Sequence, residues 1–280
     1  MVQSILIFVI ASLSLGSGLP RNDPVLTKLD AKHRYQYMSV DGVTHLVDTW
    51  IKTSDLIASA RYSPEVDNGY HLFTRSNPQV SQPLPLGMTN LLQSSNFDPA
   101  RKTVVLVHGW QNTPHSDFNV ELTRAYLATE DVNLIMTDWS VGAGANYVTS
   151  ILNNVRSGEH VAQFISWVNS VSGASISNYH IIGHSLGAHQ AGVIGRQLGR
   201  RVPYITALDP ALPGWITNAN SFSPDVGIFT EVMHTDAGLQ GFLNAIGQVD
   251  FYPNGGRGMP GCNGSSCDHH QCIFYMAESL

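Results

Sequence analysis

Short, largely apolar runs recur along the chain, separated by stretches whose apolar residues have helical spacing. The runs are Thr103–Val107, Val132–Met136, Tyr179–Ile182 and Ile205–Leu208, with a further alternating run at Tyr70–Thr74. Apolar runs of this length predict strands buried in a sheet. The intervening stretches predict helices at Phe118–Leu127, Ile151–Val171 and Leu186–Leu198. Strands that alternate with helices predict an α/β fold with a mostly parallel central sheet and helices on both faces.

The composition is that of a globular protein with one large core. Of its 280 residues, 43% are hydrophobic and 13% are charged, which excludes disorder by composition. Only 15 residues are Lys or Arg and the formal charge is -6, so no basic surface for nucleic acid is expected. Without a linker or an internal repeat, residues 19–280 are predicted to form a single catalytic domain.

The first residues have a different character. Residues 2–15 are apolar apart from one glutamine and three serines, and the small residues Gly16-Ser17-Gly18 follow. The length of this run is typical of a signal peptide, although no Lys or Arg precedes it. The alternative is a buried N-terminal helix, which the abrupt polar sequence from Arg21 disfavours. We predict a signal peptide at residues 1–18 and a secreted, extracellular protein.

The stretch Gly183-His184-Ser185-Leu186-Gly187 matches the G-x-S-x-G pattern between a predicted strand and a predicted helix. A serine at such a junction sits in a sharp turn that presents its hydroxyl above the sheet, at a helix N-terminus. The alternative is an ordinary strand-to-helix turn with an incidental serine. The context favours Ser185 as a catalytic nucleophile.

A serine nucleophile needs an imidazole base and a carboxylate that orients this base. Asp209 is the preferred carboxylate because it ends the strand after the nucleophile helix. Rival carboxylates at other strand ends are Asp138, Asp236 and Asp250. A base late in the chain and in a loop is expected, and His269 and His270 both qualify, with His234 as a weaker candidate.

Acyl transfer also needs hydrogen-bond donors for the oxyanion. The backbone N–H of Leu186, directly after the serine, is one candidate. The second is the backbone N–H of Trp110, in the loop after an earlier strand. Trp110 also fits a plain role as a loop aromatic that covers the edge of the core.

The three cysteines lie close together near the C-terminal end. Cys262 and Cys267 enclose four residues and could close a small loop, which leaves Cys272 over. No Cys/His cluster has a convincing zinc spacing, and Asp268-His269-His270 beside Cys267 is the one possible ligand group, which we disfavour. No metal and no cofactor are predicted.

Taken together, the motifs resemble those of the pancreatic lipase family of α/β hydrolases. The matching stretches, in family order, are Val107–Trp110, Thr137–Trp139, Ile181–His189, Ala207–Ala211, His234–Asp236, Val249–Gly256, Cys267–His269 and Tyr275–Ser279. This resemblance implies an α/β-hydrolase fold, Ser185 as nucleophile, Asp209 as acid and His269 rather than His270 as base. It also implies Trp110 and Leu186 as oxyanion donors.

The departures from the family pattern bear on the substrate. Cys262 and Cys267 resemble the two cysteines that bracket the lid in this family, so the lid is expected to be very short. Residues 237–248 are expected to form another compact loop. In this family, short loops accompany phospholipase A1 activity and some insect-type lipases. The resemblance implies hydrolysis of lipid carboxyl esters at a membrane, lipid-droplet or micelle surface, with phospholipid sn-1 cleavage slightly ahead of neutral glycerides.

Other departures concern the metal, the C-terminus and the activity itself. The calcium-binding stretch of the family is not cleanly reproduced in residues 218–227, although Asp225 lies there. The chain ends at Leu280, where family members continue, so the catalytic domain is expected to be truncated. Two other functions stay open: a catalytically weak lipid-binding or yolk-type storage protein, and a protease with the same triad. The oligomeric state is not predicted.

Overall fold

A computed structural model describes residues 34–40 and 43–280 of the chain. The predicted signal peptide at residues 1–18 lies outside the described residues. Within them, no helix is both long enough and apolar enough to cross a membrane.

The secondary structure alternates between strands and helices from residue 69 onward. The strands are β1 (Tyr35–Val40), β2 (Val43–Asp48), β3 (Gly69–Phe73), β4 (Gln82–Pro83), β5 (Thr103–Val107), β6 (Asn133–Asp138), β7 (Tyr179–His184), β8 (Tyr204–Leu208), β9 (Phe229–Met233) and β10 (Val249–Phe251). The α-helices are α1 (Thr53–Ser59), α2 (Pro64–Asp67), α3 (Thr89–Gln93), α4 (Asp117–Thr129), α5 (Ser140–Ala143), α6 (Tyr147–Ser172), α7 (Leu186–Gln197) and α8 (Ser265–Glu278). Short 3₁₀ helices span Ile176–Asn178 and Pro253–Gly256.

Eight strands form the central sheet in the order β10-β9-β8-β7-β5-β6-β3-β4. All neighbours from β10 to β6 are parallel, whereas β3 runs antiparallel to both β6 and β4. The predicted α/β fold with a mostly parallel sheet is therefore confirmed. In the sheet, β6 lies on one side of β5 and β7 lies on the other. This reversal of the strand order opens a crevice at the carboxyl ends of β5 and β7.

The apolar runs form the sheet because each side of every central strand meets helices. Along β5, Val105 and Val107 face the core that contains α6 and α7, whereas Val104 and Leu106 face the core of α4 and α8. All five residues of β5 are buried. The predicted strands and helices are confirmed to within a few residues at each end. The central strands are buried on both faces, so each appears in the sequence as a continuous apolar run.

The strand pair β1–β2 was not predicted. It forms a separate antiparallel two-stranded sheet, in which Tyr37 lies opposite Leu46 and Met38 lies opposite His45. Tyr37 and Leu46 are exposed while Met38 and Val47 are buried. Apolar residues on both faces obscure the period of two that reveals a half-buried strand.

Helix α7 begins in backbone contact with the sheet. A Cβ atom added to Gly187 would lie 2.0 Å from the carbonyl oxygen of Val107, and one added to Gly183 would lie 2.1 Å from that of Gly187. Only glycine fits at these two positions, so the start of α7 can approach β5 more closely than other residues would permit.

We expect Gly187→Ala to lower the free energy of unfolding by more than about 3 kcal/mol, because the methyl group would overlap a backbone carbonyl that cannot move freely. Gly192, in the same helix, is the matched control because its added Cβ would meet its nearest neighbours at 3.3 Å. Gly192→Ala should change the free energy by no more than about 1 kcal/mol, since helix propensity favours alanine. Urea unfolding of both variants measures the difference, and equal midpoints would contradict the close approach.

Candidate active site

Ser185 lies at the apex of a strand–turn–helix unit, between the end of β7 and the start of α7. Its backbone has φ 56° and ψ -118°, a conformation that costs a non-glycine residue on the order of 1–3 kcal/mol. The Ser185 N–H donates to the carbonyl of Leu208 at 3.0 Å, and the Ser185 carbonyl accepts from the N–H of Ala211 at 3.3 Å. These bonds join the turn to the last residue of β8 and to the loop that follows β8, and they hold the turn in place.

Asp209 follows β8 and is fully buried. One carboxylate oxygen, Oδ1, accepts from the backbone N–H groups of Thr235 at 2.8 Å and Asp236 at 3.1 Å. The other oxygen, Oδ2, lies 2.5 Å from Nδ1 of His269. Both oxygens are thus oriented by neighbours, and the carboxylate is aimed at a single imidazole.

His269 lies in the first turns of helix α8, so the expectation of a loop position is wrong. The helix is held against the elbow because the ring of His184 contacts the backbone carbonyl of His269, with 3.0 Å between Nε2 and the oxygen. Within the described residues, Nε2 of His269 is buried and has no hydrogen-bond partner. His269 and Ser185 line the same small cleft.

Burial sets the charge of this pair. It raises the pKa of Asp209 to about 7, against the opposing effect of the two backbone N–H donors. Burial, followed by the neighbouring His270, lowers the pKa of His269 well below its usual value. The imidazole is therefore neutral at neutral pH, and with Nδ1 against the carboxyl group of Asp209, its other nitrogen, Nε2, is left without a partner among the described residues.

Trp110 lines the cleft, and Leu186 directly follows Ser185 in the chain. Leu186 is the first residue of α7, and Trp110 follows β5. Neither backbone N–H donates to another described residue. The Trp110 side chain is fixed separately, since its indole N–H donates to the carbonyl of Ala145 at 2.9 Å.

The three rival carboxylates have other partners. Asp138 caps a short helix by accepting from the N–H of Ser140 at 2.9 Å, and Asp250 contacts Nε2 of His234 at 2.8 Å. Asp236 lies near the candidate acid, but its Oδ2 accepts from a backbone N–H and from a serine hydroxyl. Because His234 contacts Asp250, this histidine is engaged as well and does not reach Ser185.

His270 borders the cleft, but its ring is directed away from the Asp209–His269 pair. Its Nδ1 lies 2.8 Å from the carbonyl oxygen of Ser266 in its own helix. Of the two adjacent histidines, His269 is thus the one that the structure joins to Asp209. The choice between them, open on position alone, is decided by which face of α8 each occupies.

Three further residues line the cleft: Met38, Asn112 and His184. His184 is the variable residue inside the glycine motif, and Asn112 stands two positions after Trp110, so both had a sequence signal in their neighbourhood. Met38 had none, because it comes from β1, far away in the chain.

Asp209, Asp236 and His269 bring one ligand atom each within 4.8 Å of one another, as a metal site would. The hydrogen-bond pattern favours a polar network instead, since two backbone N–H groups point at Asp209 and would repel a cation. Asp225, in the stretch that corresponds to the calcium site of the family, pairs with Arg200 at 3.3 Å.

A disulfide joins Cys262, in the loop before α8, to Cys267, in the first turn of that helix. Cys272 is the free thiol and is buried in the same helix. Its thiol donates to the carbonyl of His269 at 3.4 Å. Cys272 therefore packs behind the candidate base.

A serine elbow, a buried Asp–His pair and a parallel sheet with a reversal at β5 define an α/β hydrolase. The lipase family model matches residues 37–274. The chain belongs to the pancreatic lipase family.

Relatives with known names match over most of this chain but only part of their own length. Pancreatic lipase-related protein 2 of Bos taurus is 37% identical over 210 residues, which cover 72% of this chain and 45% of the relative. Pancreatic triacylglycerol lipase of Sus scrofa is 35% identical over 247 residues, which cover 78% and 55%. The chain thus spans about half the length of these relatives. Among solved structures, an α/β hydrolase from a deep-sea metagenome library matches with a TM-score of 0.36 and 17% identity, covering 51% of this chain and 59% of that one.

Several buried histidines around the sheet make the stability sensitive to acid. Burial lowers the pKa of His108 to about 4 and the pKa values of His180 and His189 to about 3, and it lowers those of His184 and His269 well below 6.5. Below pH 6.5 the unfolded chain takes up protons that the folded chain excludes, so stability falls as the pH falls. Asp209 and Asp236, with pKa values raised to about 7, oppose this between pH 7 and 4.

Because five histidines outweigh two carboxylates, we expect the urea midpoint to stay level from about pH 8 to 7 and to fall steadily below about pH 6.5. His180→Gln should flatten the slope, by up to ~1.4 kcal/mol per pH unit. The exposed His115 provides a surface comparison, since His115→Gln should change the slope much less than His180→Gln does. A midpoint that rises between about pH 6.5 and 4.5 would contradict this balance of charges.

Proposed function

We propose that this protein is a secreted serine hydrolase that cleaves carboxyl esters of lipids through an acyl-enzyme on Ser185. The observation that carries the proposal is the 2.5 Å contact between Asp209 and His269, a residue that lines the same cleft as the strained Ser185. Membership of the pancreatic lipase family supports lipid esters as the substrate class.

In the proposed reaction, Oγ of Ser185 attacks the ester carbonyl carbon and transfers its proton to Nε2 of His269. Asp209 keeps the imidazole in the required tautomer and stabilises the imidazolium. Collapse of the tetrahedral intermediate breaks the ester C–O bond, and His269 returns the proton to the leaving alcohol. A water molecule, activated by the same nitrogen, then hydrolyses the acyl-serine and releases the fatty acid.

The negative charge on the carbonyl oxygen is stabilised by the backbone N–H groups of Trp110 and Leu186 in this proposal. The N-terminus of α7, a helix of 12 residues, adds a favourable dipole at the same point. Loss of one such donor typically costs about 10²–10³ in rate. The candidate donors follow two neighbouring strands, Trp110 after β5 and Leu186 after β7, so the sheet positions both.

A phospholipid is the preferred substrate, cleaved at its sn-1 ester, with neutral glycerides second. The disulfide joins cysteines only five positions apart, so the loop that it closes is too short to fold over the cleft. This arrangement supports a site that accommodates a bulky polar headgroup. The substrate would be met at a membrane, lipid-droplet or micelle surface.

Secretion is proposed from two features. The apolar segment at residues 2–15 is typical of a signal peptide. The Cys262–Cys267 disulfide is typical of an oxidising compartment.

We expect a fluorophosphonate probe to label the protein covalently, and Ser185→Ala to abolish the labelling because the nucleophile is gone. His269→Ala should slow labelling by about 10³-fold or more, since no other group can take the serine proton. His270→Ala, in the adjacent position of the same helix, should stay within about threefold of the parent. The rate of labelling is measured by gel fluorescence.

Labelling that persists in Ser185→Ala, or that depends equally on His270, would show that the triad is wrongly assigned. Correctly folded protein that takes no label under any condition would favour the lipid-binding or storage function.

We expect fatty acid release from the sn-1 position of phosphatidylcholine, with slower release from triolein and none from a casein peptide substrate. The short loop leaves space for the headgroup, which is the physical reason for this order. Mass spectrometry of the lysophospholipid identifies the cleaved position. Release from triolein alone would reverse the order, and release from sn-2 would contradict the sn-1 assignment.

A further inference from the structure

A groove between the starts of α4 and α8 adjoins the cleft that contains Ser185. It is lined by residues from 112–118 and 263–274 and is called the α4–α8 groove below. Its free volume is about 610 Å³, and it shares Asn112 and His270 with the cleft. Sites for small organic ligands typically have volumes of about 300–1,000 Å³. The groove is therefore large enough for a polar group that is attached to an ester at Ser185.

The N-termini of two long helices meet at this groove. Helix α4 has 13 residues and α8 has 14. Neither start is capped by a side chain, since α8 follows Gly264 and the hydroxyl of Ser116 accepts instead from the N–H of Thr113 at 2.9 Å. The backbone N–H groups of Phe118 and Ser266, which both line the groove, donate to no described residue. Uncapped helix starts attract anions, because their N–H groups are unpaired and the helix dipole is positive at that end.

The side chain of Asn112 is a second and independent indication of a ligand. It is 7% exposed and lines both the groove and the cleft, yet its amide makes no hydrogen bond to a described residue. A buried amide without a partner is unfavourable, so a position of this kind is expected to gain its partner on binding. An oxygen of a bound anion would accept from the amide N–H groups.

The charge of the groove is not that of a plain anion site. Apart from His115 and His270, Asp117 is the one titratable residue among the described residues that line it, and neither Lys nor Arg is among them. Asp117 is exposed and lines the groove alone, whereas Asn112 also lines the cleft. The ring of Phe274, 36% exposed, lines the groove as well. A carboxylate and an exposed aromatic ring both attract an ammonium group.

We propose that the α4–α8 groove binds the zwitterionic headgroup of a phospholipid, in which a phosphate is followed by an ammonium group. The phosphate accepts from the amide of Asn112 and from the N–H groups of Phe118 and Ser266. The ammonium group pairs with Asp117, farther from the cleft. This order matches the lipid, because the phosphate lies between the glycerol ester and the ammonium group. The proposal rests on the proposed function for the ester at Ser185, whereas binding of the headgroup requires no reaction.

The first test compares lipids that share their acyl chains. Dioleoylphosphatidylcholine and dioleoylglycerol are hydrolysed in mixed micelles of one detergent, and the release of oleate is measured. We expect Asn112→Asp to lower the rate on phosphatidylcholine, relative to that on dioleoylglycerol, by about tenfold or more, because a carboxylate repels the phosphate and donates no hydrogen bond to it. The same ratio of rates in Asn112→Asp and in the parent would overturn the phosphate site.

The second test concerns the ammonium group and uses an exposed position that tolerates substitution. Asp117→Asn should lower the rate on dioleoylphosphatidylcholine, relative to that on dioleoylphosphatidylglycerol, by about threefold, since phosphatidylglycerol has no ammonium group. Glu278 is exposed at the other end of α8. Glu278→Gln removes the same charge far from the groove and is the matched control, which should leave the ratio unchanged. An equal shift in both variants, or none in Asp117→Asn, would overturn the pairing with Asp117.

The third test measures binding without the reaction. In the Ser185→Ala protein, we expect soluble glycerophosphocholine to show ³¹P line broadening that is lost when Asn112→Asp is added. Inorganic phosphate is titrated in the same way, to distinguish a headgroup from free phosphate. Binding of inorganic phosphate as tight as that of glycerophosphocholine would overturn the zwitterionic assignment, and broadening that Asn112→Asp leaves unchanged would overturn the groove.

The outcomes separate the groove from the reaction. Binding of glycerophosphocholine that depends on Asn112, in a protein whose parent releases oleate from none of the lipids, would uphold the groove and reject the proposed function. Release of oleate from all three lipids, without any binding of glycerophosphocholine, would reject the groove and leave the proposed function standing.

Discussion

The left-handed backbone of Ser185 persists because the surrounding chain is packed to backbone distance. Glycines on both sides of the serine let α7 start against β5 without a Cβ atom between them. Hydrogen bonds to Leu208 and Ala211 tie the turn to the next strand end. The strain of one residue is thus opposed by the stability of the whole sheet, and the serine keeps its position relative to every strand that contributes a polar group.

Burial of the Asp209–His269 pair also sets its protonation state. Desolvation makes charge costly around the Asp209–His269 pair, which raises the pKa of Asp209 and lowers that of His269, so the imidazole is neutral at neutral pH. Met38, which comes from β1, is buried and lines the same cleft.

Much of the site could be predicted because its residues follow strand ends. In a parallel sheet the carboxyl ends of neighbouring strands meet, so Ser185 after β7, Asp209 after β8 and Trp110 after β5 had to lie near one another. His269 was harder to place. Its position alone gave no reason to prefer it over His270, and the family resemblance supplied that preference. It lies in a helix rather than a loop, and the packing of α8 brings its ring to the carboxylate.

The amino-acid sequence by itself determined the order of strands and helices, the elbow at Ser185 and the cluster of polar residues at strand ends. These depend on local patterns: apolar runs, glycine spacing and turn residues. The position of Asp209 and the family resemblance of the segment around His269 predicted this pair, but only the tertiary structure showed their contact and brought Met38 to the cleft. Such contacts join residues far apart in the chain, such as Met38 and Ser185, and their energy comes from burial, which no local pattern records.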